Sequence, residues 1–178
     1  MDLHELSVAY VSGVTERLKE DGFIIDYDIK YKTENFLCVA HRRRYQLEYF
    51  GFIGFSYVFS EFKELSVKSL WNYSAKCFEY AKRFRRLPIP FIPIPYVPQD
   101  TVACFPVALV LQIDDATAEI LRYKDPPRHW FSYNIPAVYE FTTNKLHISE
   151  TKPLKGSMWL GHFKEMIQTN LVVDRRSE

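Results

Sequence analysis

Three residues, Glu48, Glu61 and Lys63, could carry metal-dependent chemistry. Glu61, Phe62 and Lys63 form a Glu-x-Lys triplet, and Glu48 lies about one strand upstream. Alternate residues of a strand share a face, so Glu61 and Lys63 are expected to project together. Glu48 and Glu61 can hold Mg or Mn, which activates water, while Lys63 offsets charge on a phosphate under attack. This pattern is typical of a nuclease or phosphodiesterase. The alternative is a strand that simply reaches the surface at Glu61.

The predicted elements around this triplet follow one another as helix, hairpin, Glu-x-Lys strand, helix and strand. This succession resembles the common core of the PD-(D/E)XK nuclease fold, from the N-terminus to about Gln112. The resemblance implies a nuclease with its metal held by two carboxylates. The Pro-Asp pair that the family carries upstream is absent here. Glu48 is assigned to its role, and Asp26 and Asp28 compete for it.

Two groups of cations could bind phosphate. His41 is followed by Arg42, Arg43 and Arg44 at the end of the second predicted strand, and Lys82, Arg83, Arg85 and Arg86 end the second predicted helix. Arginine grips phosphate at two points and stacks on bases, so the two groups would bind nucleic acid if they meet. The net charge of +1 supplies no overall attraction to nucleic acid. The alternative is a solvated turn beside a helix C-terminus that its cations stabilise.

Two other segments indicate a protein partner. Arg128, His129 and Trp130 follow two prolines on a predicted loop, and such a rigid triplet can recognise another protein. The alternative is that Trp130 anchors this loop to the core. Residues 87–100, LPIPFIPIPYVPQD, carry five prolines among apolar residues, which predicts an extended strap lying on the protein. Aromatic residues make up 16% of the chain, enough for a core and a binding surface.

Other classes of site find no support in the sequence. The six glycines form neither GxGxxG nor a P-loop, and the five histidines lack zinc-ligand spacing. Cys38, Cys77 and Cys104 each lie in an apolar stretch, which predicts reduced core thiols in a cytoplasmic protein. The N-terminus lacks a signal-peptide pattern, and the longest apolar segment, residues 101–113, is too short to cross a bilayer. No membrane association is therefore expected.

The elements that must position these residues follow from hydrophobic periodicity. Main helices are predicted over residues 3–20, from 67 to about 86 with Ser66 as N-cap, and over 157–171. A short helix is predicted over 116–122, where Asp114 and Asp115 can cap it. Strands are predicted over residues 23–32, 36–43, 45–62 and 101–113, with a hairpin over 135–148. The long strand over 45–62 is either continuous or bent at Gly51 and Gly54. In the first strand one apolar face is predicted, formed by Phe23, Ile25, Tyr27, Ile29 and Tyr31.

This order predicts a single α+β domain over residues 1–173, with a polar tail over 174–178. Short turns favour a mixed, mostly antiparallel sheet of about five to six strands, packed by three main helices. Abundant rings and few catalytic groups favour a non-catalytic, cytoplasmic protein-interaction or regulatory module that binds a protein partner or its own copy. A metal-dependent nuclease is the alternative.

Overall fold

The structure is a computed structural model that describes residues 2–46, 51–84, 101–124, 128–129, 132–151 and 157–172. Within these ranges the chain forms four helices and eight strands. The helices are α1 (Leu3–Glu20), α2 (Val67–Ala81), α3 (Asp115–Tyr123) and α4 (Ser157–Leu171). The strands are β1 (Ile24–Tyr31), β2 (Glu34–Gln46), β3 (Gly51–Glu61), β4 (Thr101–Val110), β5 (Arg128–His129), β6 (Ser132–Asn134), β7 (Ala137–Glu140) and β8 (Lys145–Ile148).

Side-chain caps fix where three of the helices begin. Ser66 caps α2 as predicted: its hydroxyl accepts a hydrogen bond from the Ser69 N–H, and the Ser69 hydroxyl bonds back to the Ser66 backbone. Asp2 caps α1 in the same reciprocal way through Glu5, and Asp114 caps α3 through the N–H of Thr117. Each cap satisfies an N–H that the helix itself cannot pair. The predicted bounds of α1 and α4 are confirmed, and α2 begins as predicted. Helix α2 ends at Ala81, earlier than predicted, because Lys82–Phe84 tighten into a 3₁₀ turn.

The sheet is mixed and mostly antiparallel, which confirms the predicted α+β class. Strands β1, β2 and β3 form an antiparallel meander, and β4 runs parallel to β3 after α2. On its other side β4 pairs with β6 and then with β7, both parallel, while β5 and β8 form the outer partners. The stretch 45–62, predicted as one long strand or two strands bent at the glycines, is divided between β2 and β3: Tyr45 and Gln46 belong to β2, and β3 begins at Gly51. Strands β5 and β6 are additional to the predicted ones.

Pro106 lies inside the central strand β4, opposite Val58 of β3. On the other side of β4, pairing with β6 ends at Cys104 and pairing with β7 begins at Val107. Proline has no N–H to donate to a neighbouring strand. Pro106 lies in the gap between the β6 and β7 pairings of β4, where no such hydrogen bond is required.

Helices cover both faces of the sheet. One core, between the sheet and helices α1 and α4, contains Val14, Tyr57 and Phe163. The other lies between the sheet and helices α2 and α3, and contains Val58 and Leu70. Because Tyr57 and Val58 are neighbours in β3, the alternation of a strand supplies both cores. The buried, continuous apolar character of β3 and β4 follows from this position between two helical layers.

The predicted single apolar face of β1 is wrong, because the strand changes faces at Asp28. Phe23 and Ile25 pack on the α1 side, whereas Ile29 and Tyr31 pack on the α2 side. Asp28 has φ of 53°, in the left-handed region. A left-handed residue in an extended strand rotates the chain that follows it, and aspartate tolerates this conformation better than β-branched residues do.

The three cysteines are buried and unpaired, as predicted. Burial raises the pKa of Cys38 to about 12, and it also raises the pKa values of Cys77 and Cys104, so all three are poor nucleophiles at neutral pH. Within the described ranges, no helix combines the length and the apolar character needed to span a membrane. The proline strap lies outside the described residues.

Candidate functional site

Glu61 is the last residue of β3, and its carboxylate bonds to His4 of α1. The Nδ1 atom of His4 lies 2.8 Å from Oε1 of Glu61. This hydrogen bond, together with the negative charge of Glu61, raises the pKa of His4. Lys63 lies two residues beyond the end of β3 and is exposed. Contrary to expectation, it therefore does not share a strand face with Glu61. Glu48 lies outside the described residues.

The part of the chain that the structure describes contains no group of three side chains suited to hold a metal ion. Asp26, one competing carboxylate, lies 3.3 Å from Nε2 of His41. Asp28, the other, acts on His4 through its charge. The described residues alone therefore do not make up the two-carboxylate site that the resemblance implies.

The arginine run at the end of β2 is divided between the two faces of the sheet, because a strand alternates. Arg42 faces the α1 side, where its guanidinium carbon lies 4.4 Å from the ring centroid of Phe23 and 5.3 Å from that of Phe55. It also donates a 2.6 Å hydrogen bond to the carbonyl oxygen of Asp21. Burial lowers its pKa. Arg42 is therefore a structural residue, whereas Arg43 and Arg44 are exposed.

On the opposite face, the end of β2 does meet the end of α2. The ring of His41 stacks on Phe84 with a centroid separation of 3.9 Å. Arg83 lies 5.5 Å from the ring centroid of Tyr80, and Lys82 lies 4.7 Å from that of Phe78. The end of β2 and the end of α2 thus meet through stacked rings. Lys82 and Arg83, at the end of α2, lie over aromatic rings of the same helix. Arg85 and Arg86 lie outside the described residues.

The triplet Arg128, His129 and Trp130 is only partly described. The backbones of Arg128 and His129 form β5, which pairs antiparallel with β6. Trp130 lies outside the described residues. The interpretation of this triplet as a recognition loop therefore stays a prediction.

A groove runs along strand β8. It has a volume of about 1160 Å³. Its floor is β8 with the following residues 149–151, one wall is α3, and the other wall is α4. Strand β8 pairs only with β7 among the described strands. Alternate residues of β8 consequently direct their N–H and C=O groups away from β7, toward the groove.

The two walls of the groove differ in character. Leu146 and Ile148 of β8 pack toward the α4 side, where they join Leu160. Gly161 also lines this side, and a Cβ atom placed on it would meet nothing within 4 Å. Lys145 and His147 alternate with the two apolar residues and therefore face the α3 side. The floor on the α4 side is thus apolar and open at Gly161, below the polar Lys164, Glu165 and Gln168. The α3 side is mainly polar and also carries the exposed ring of Tyr123.

Charges on the α3 side are only partly paired. Arg122 binds Glu150 with an Nε to Oε2 distance of 2.7 Å. Asp115 and Glu119, four residues apart on α3, line the groove and make no ion pair with any described residue. On the opposite wall, Lys164 donates to the carbonyl oxygen of Thr151 at 2.6 Å. The groove therefore presents carboxylates that no described cation pairs with.

A polar cluster fixes the β7–β8 hairpin that forms the floor. Glu140 is buried, and its carboxylate accepts a 2.6 Å hydrogen bond from Thr143 and lies 3.1 Å from Nε2 of His147. Burial alone raises the pKa of Glu140, but the bonds from Thr143, His147 and the Ile113 N–H outweigh burial and lower it. The carboxylate therefore stays ionised at neutral pH and holds His147 at the groove floor.

The predictions from sequence did not include the groove, although they placed each of its three elements. The strand at its floor is the second strand of the hairpin predicted over residues 135–148. The sequence carried no signal that this strand would lie at the edge of the sheet between two helices. The chain matches no protein-family model, no curated protein and no solved structure.

Proposed function

We propose that the protein is a non-catalytic protein-interaction module of the cytoplasm that takes up an extended segment of a protein partner along β8. The observation that carries this proposal is the open edge of β8 at the floor of a groove. An extended segment laid beside such an edge extends the sheet through main-chain hydrogen bonds, and the groove walls select its side chains.

The contrast between the two ends of the sheet supports this function. Strand β1 also pairs with only one of the described strands, but it carries Asp26, Asp28 and Lys30, and the left-handed Asp28 bends its backbone. Charged side chains and local bends are the usual devices that stop an edge strand from pairing with another chain. Strand β8 has no left-handed residue among its four residues. Its edge keeps the regular geometry that pairing requires.

The size of the groove also fits an extended segment. A strand rises about 3.4 Å per residue, lies about 4.8 Å from its neighbour and spans about 10 Å across its side chains. The product of these lengths is a volume of roughly 160 Å³ for each residue. The volume of about 1160 Å³ therefore accommodates a segment of roughly seven residues. The floor, residues 145–151, has a comparable length. Its first four residues form β8 and offer the open edge, whereas the Glu150 N–H already donates to the carbonyl oxygen of Arg122.

Gly161→Trp tests this function, because Gly161 lines the groove, a Cβ atom added there meets nothing within 4 Å, and the indole is expected to occupy the space that a partner would need. Gly13→Trp on α1 is the matched control, since Gly13 is also helical, has nothing within 4 Å of an added Cβ and does not line the groove. Tagged protein should capture a partner from a cell extract, identified by mass spectrometry. Gly161→Trp should lose that partner and Gly13→Trp should keep it. If both variants lose the partner, or both keep it, the proposal is contradicted. If light scattering shows a dimer that Gly161→Trp abolishes and Gly13→Trp does not, the partner is a second copy of this chain.

A metal-dependent nuclease using Mg or Mn is the second candidate. It is supported by the order α1, β1, β2, β3, α2, β4, which is the succession of the core that the sequence resembles, and by Glu61 at the end of β3. Nucleic acid would approach the exposed Arg43 and Arg44. The test is cleavage of plasmid or single-stranded DNA with each metal. Glu61→Ala should abolish cleavage and Glu64→Ala, an exposed neighbour, should not; no cleavage with either metal removes this candidate.

A further inference from the structure

We infer that the segment bound along β8 has alternating apolar and basic residues. This inference rests on the proposed function and specifies the chemistry of the partner. It follows from the different side chains that the α4 and α3 walls present to the two faces of an added strand.

The α4 wall selects apolar residues. Successive residues of a strand added beside β8 would face α4 and α3 in turn, as those of β8 do. On the α4 side they would meet Leu146, Ile148 and the buried Leu160. The open space at Gly161 leaves room there for a side chain of the partner. Removing the apolar surface of such a side chain from water favours binding.

The α3 wall selects basic residues. Asp115 and Glu119 are exposed, and no described cation pairs with them. The cation nearest to them on the same helix, Arg122, is already held by Glu150. On the rim of the α4 wall, Glu165 likewise has no ion pair within the described ranges, whereas Lys164 donates to Thr151. Within the described ranges, three carboxylates that line the groove have no ion pair, Asp115, Glu119 and Glu165, against one such cation, Lys145. A bound Lys or Arg would complement these carboxylates.

Three fluorescent seven-residue peptides test this inference through binding measured by fluorescence anisotropy. One alternates lysine with valine, one alternates glutamate with valine, and one has the composition of the first with its lysines and valines in separate blocks. The lysine–valine peptide should bind at least about tenfold more tightly than the other two, and its affinity should fall as salt is added. Gly161→Trp should abolish this binding, and Gly13→Trp should preserve it.

The acidic wall is tested by the double variant Asp115→Asn and Glu119→Gln. It should weaken binding of the lysine–valine peptide by roughly three- to tenfold, as expected for two exposed ion pairs. Glu16→Gln with Glu20→Gln is the matched control, since these glutamates are also exposed and four residues apart, on α1. A melting temperature for each variant shows that it is folded. If the double variant is unfolded, two other measurements decide whether the acidic residues of α3 bind the peptide: the affinity of Glu119→Gln alone and the salt dependence of the unaltered protein. Unchanged affinity in both would overturn the role of the acidic wall.

The outcomes separate this inference from the proposed function. Equal binding of the lysine–valine and glutamate–valine peptides, lost in Gly161→Trp, would overturn the inference and leave the proposed function standing. Absence of binding by all three peptides overturns the inference, and the proposed function falls with it only if partner capture is also insensitive to Gly161→Trp. Only alternate N–H groups of an added strand face β8. N-methylation of one set of alternate peptide residues, odd or even, should therefore abolish binding, and N-methylation of the other set should spare it; these two peptides are the two phases. An equal effect in both phases would contradict binding as an added strand.

Discussion

Arg42 lies over the ring of Phe23, with its guanidinium carbon 4.4 Å from the ring centroid, and donates to the carbonyl oxygen of Asp21. The side chain thus covers the end of the core between the sheet and α1. A residue that sequence alone places in a phosphate-binding group is held here by a ring and a backbone carbonyl.

Arg42→Ala should therefore lower the free energy of unfolding by about 2 kcal/mol, because it removes a cation–π contact and a charge-assisted hydrogen bond. Arg44→Ala, an exposed change two residues along β2, should alter it by less than about 0.5 kcal/mol. Urea unfolding measures both. Equal effects of the two changes would show that Arg42 has no special structural role.

Asp28 should tolerate glycine but not valine. Its φ of 53° suits glycine, whereas a β-branched residue would be strained there, at a cost of about 1–2 kcal/mol. Lys30→Val in the same strand is the control, because Lys30 has an ordinary negative φ. Asp28→Val should lower the melting temperature and Lys30→Val should not. A melting temperature of Asp28→Val equal to that of the unaltered protein would mean that the strand does not change faces at this residue.

The Glu140 carboxylate should make the protein more stable at neutral than at acid pH. Its hydrogen bonds lower its pKa in the folded state, so the stabilisation is complete above the unfolded pKa of about 4.3 and is lost as the pH falls through the lower folded value. Glu140→Gln should cost about 1–2 kcal/mol at pH 7. This cost should shrink as the pH falls below about 4. Urea unfolding across this range checks the trend, and a cost independent of pH would refute it.

The contact between His4 and Glu61 should be visible in the titration of His4. Glu61→Gln removes the negative charge that raises the pKa of His4, so this pKa should fall toward its ordinary value. Glu64→Gln, which alters an exposed carboxylate beyond β3, should leave it unchanged. The imidazole resonances in an NMR titration report both values. An unaltered His4 titration in Glu61→Gln would show that the contact is absent in solution.

The sequence determined the elements and their ends, because these depend on contacts within a few residues. The spacing of apolar residues located α1, α2 and α4, and a serine and an aspartate placed to accept from nearby N–H groups located the starts of α2 and α3. The same local patterns indicated the β1–β2 and β7–β8 hairpins.

Only the tertiary structure decided which faces these elements share. The change of face at Asp28 follows from one backbone angle that periodicity does not contain, and the separate roles of Arg42 and His41 follow from helices that pack on opposite sides of β2. The groove forms because β7 pairs with β4, leaving β8 at the edge between α3 and α4. Such pairings join segments far apart in the chain, and their energy depends on the packing of the whole sheet, so no local pattern of residues specifies them.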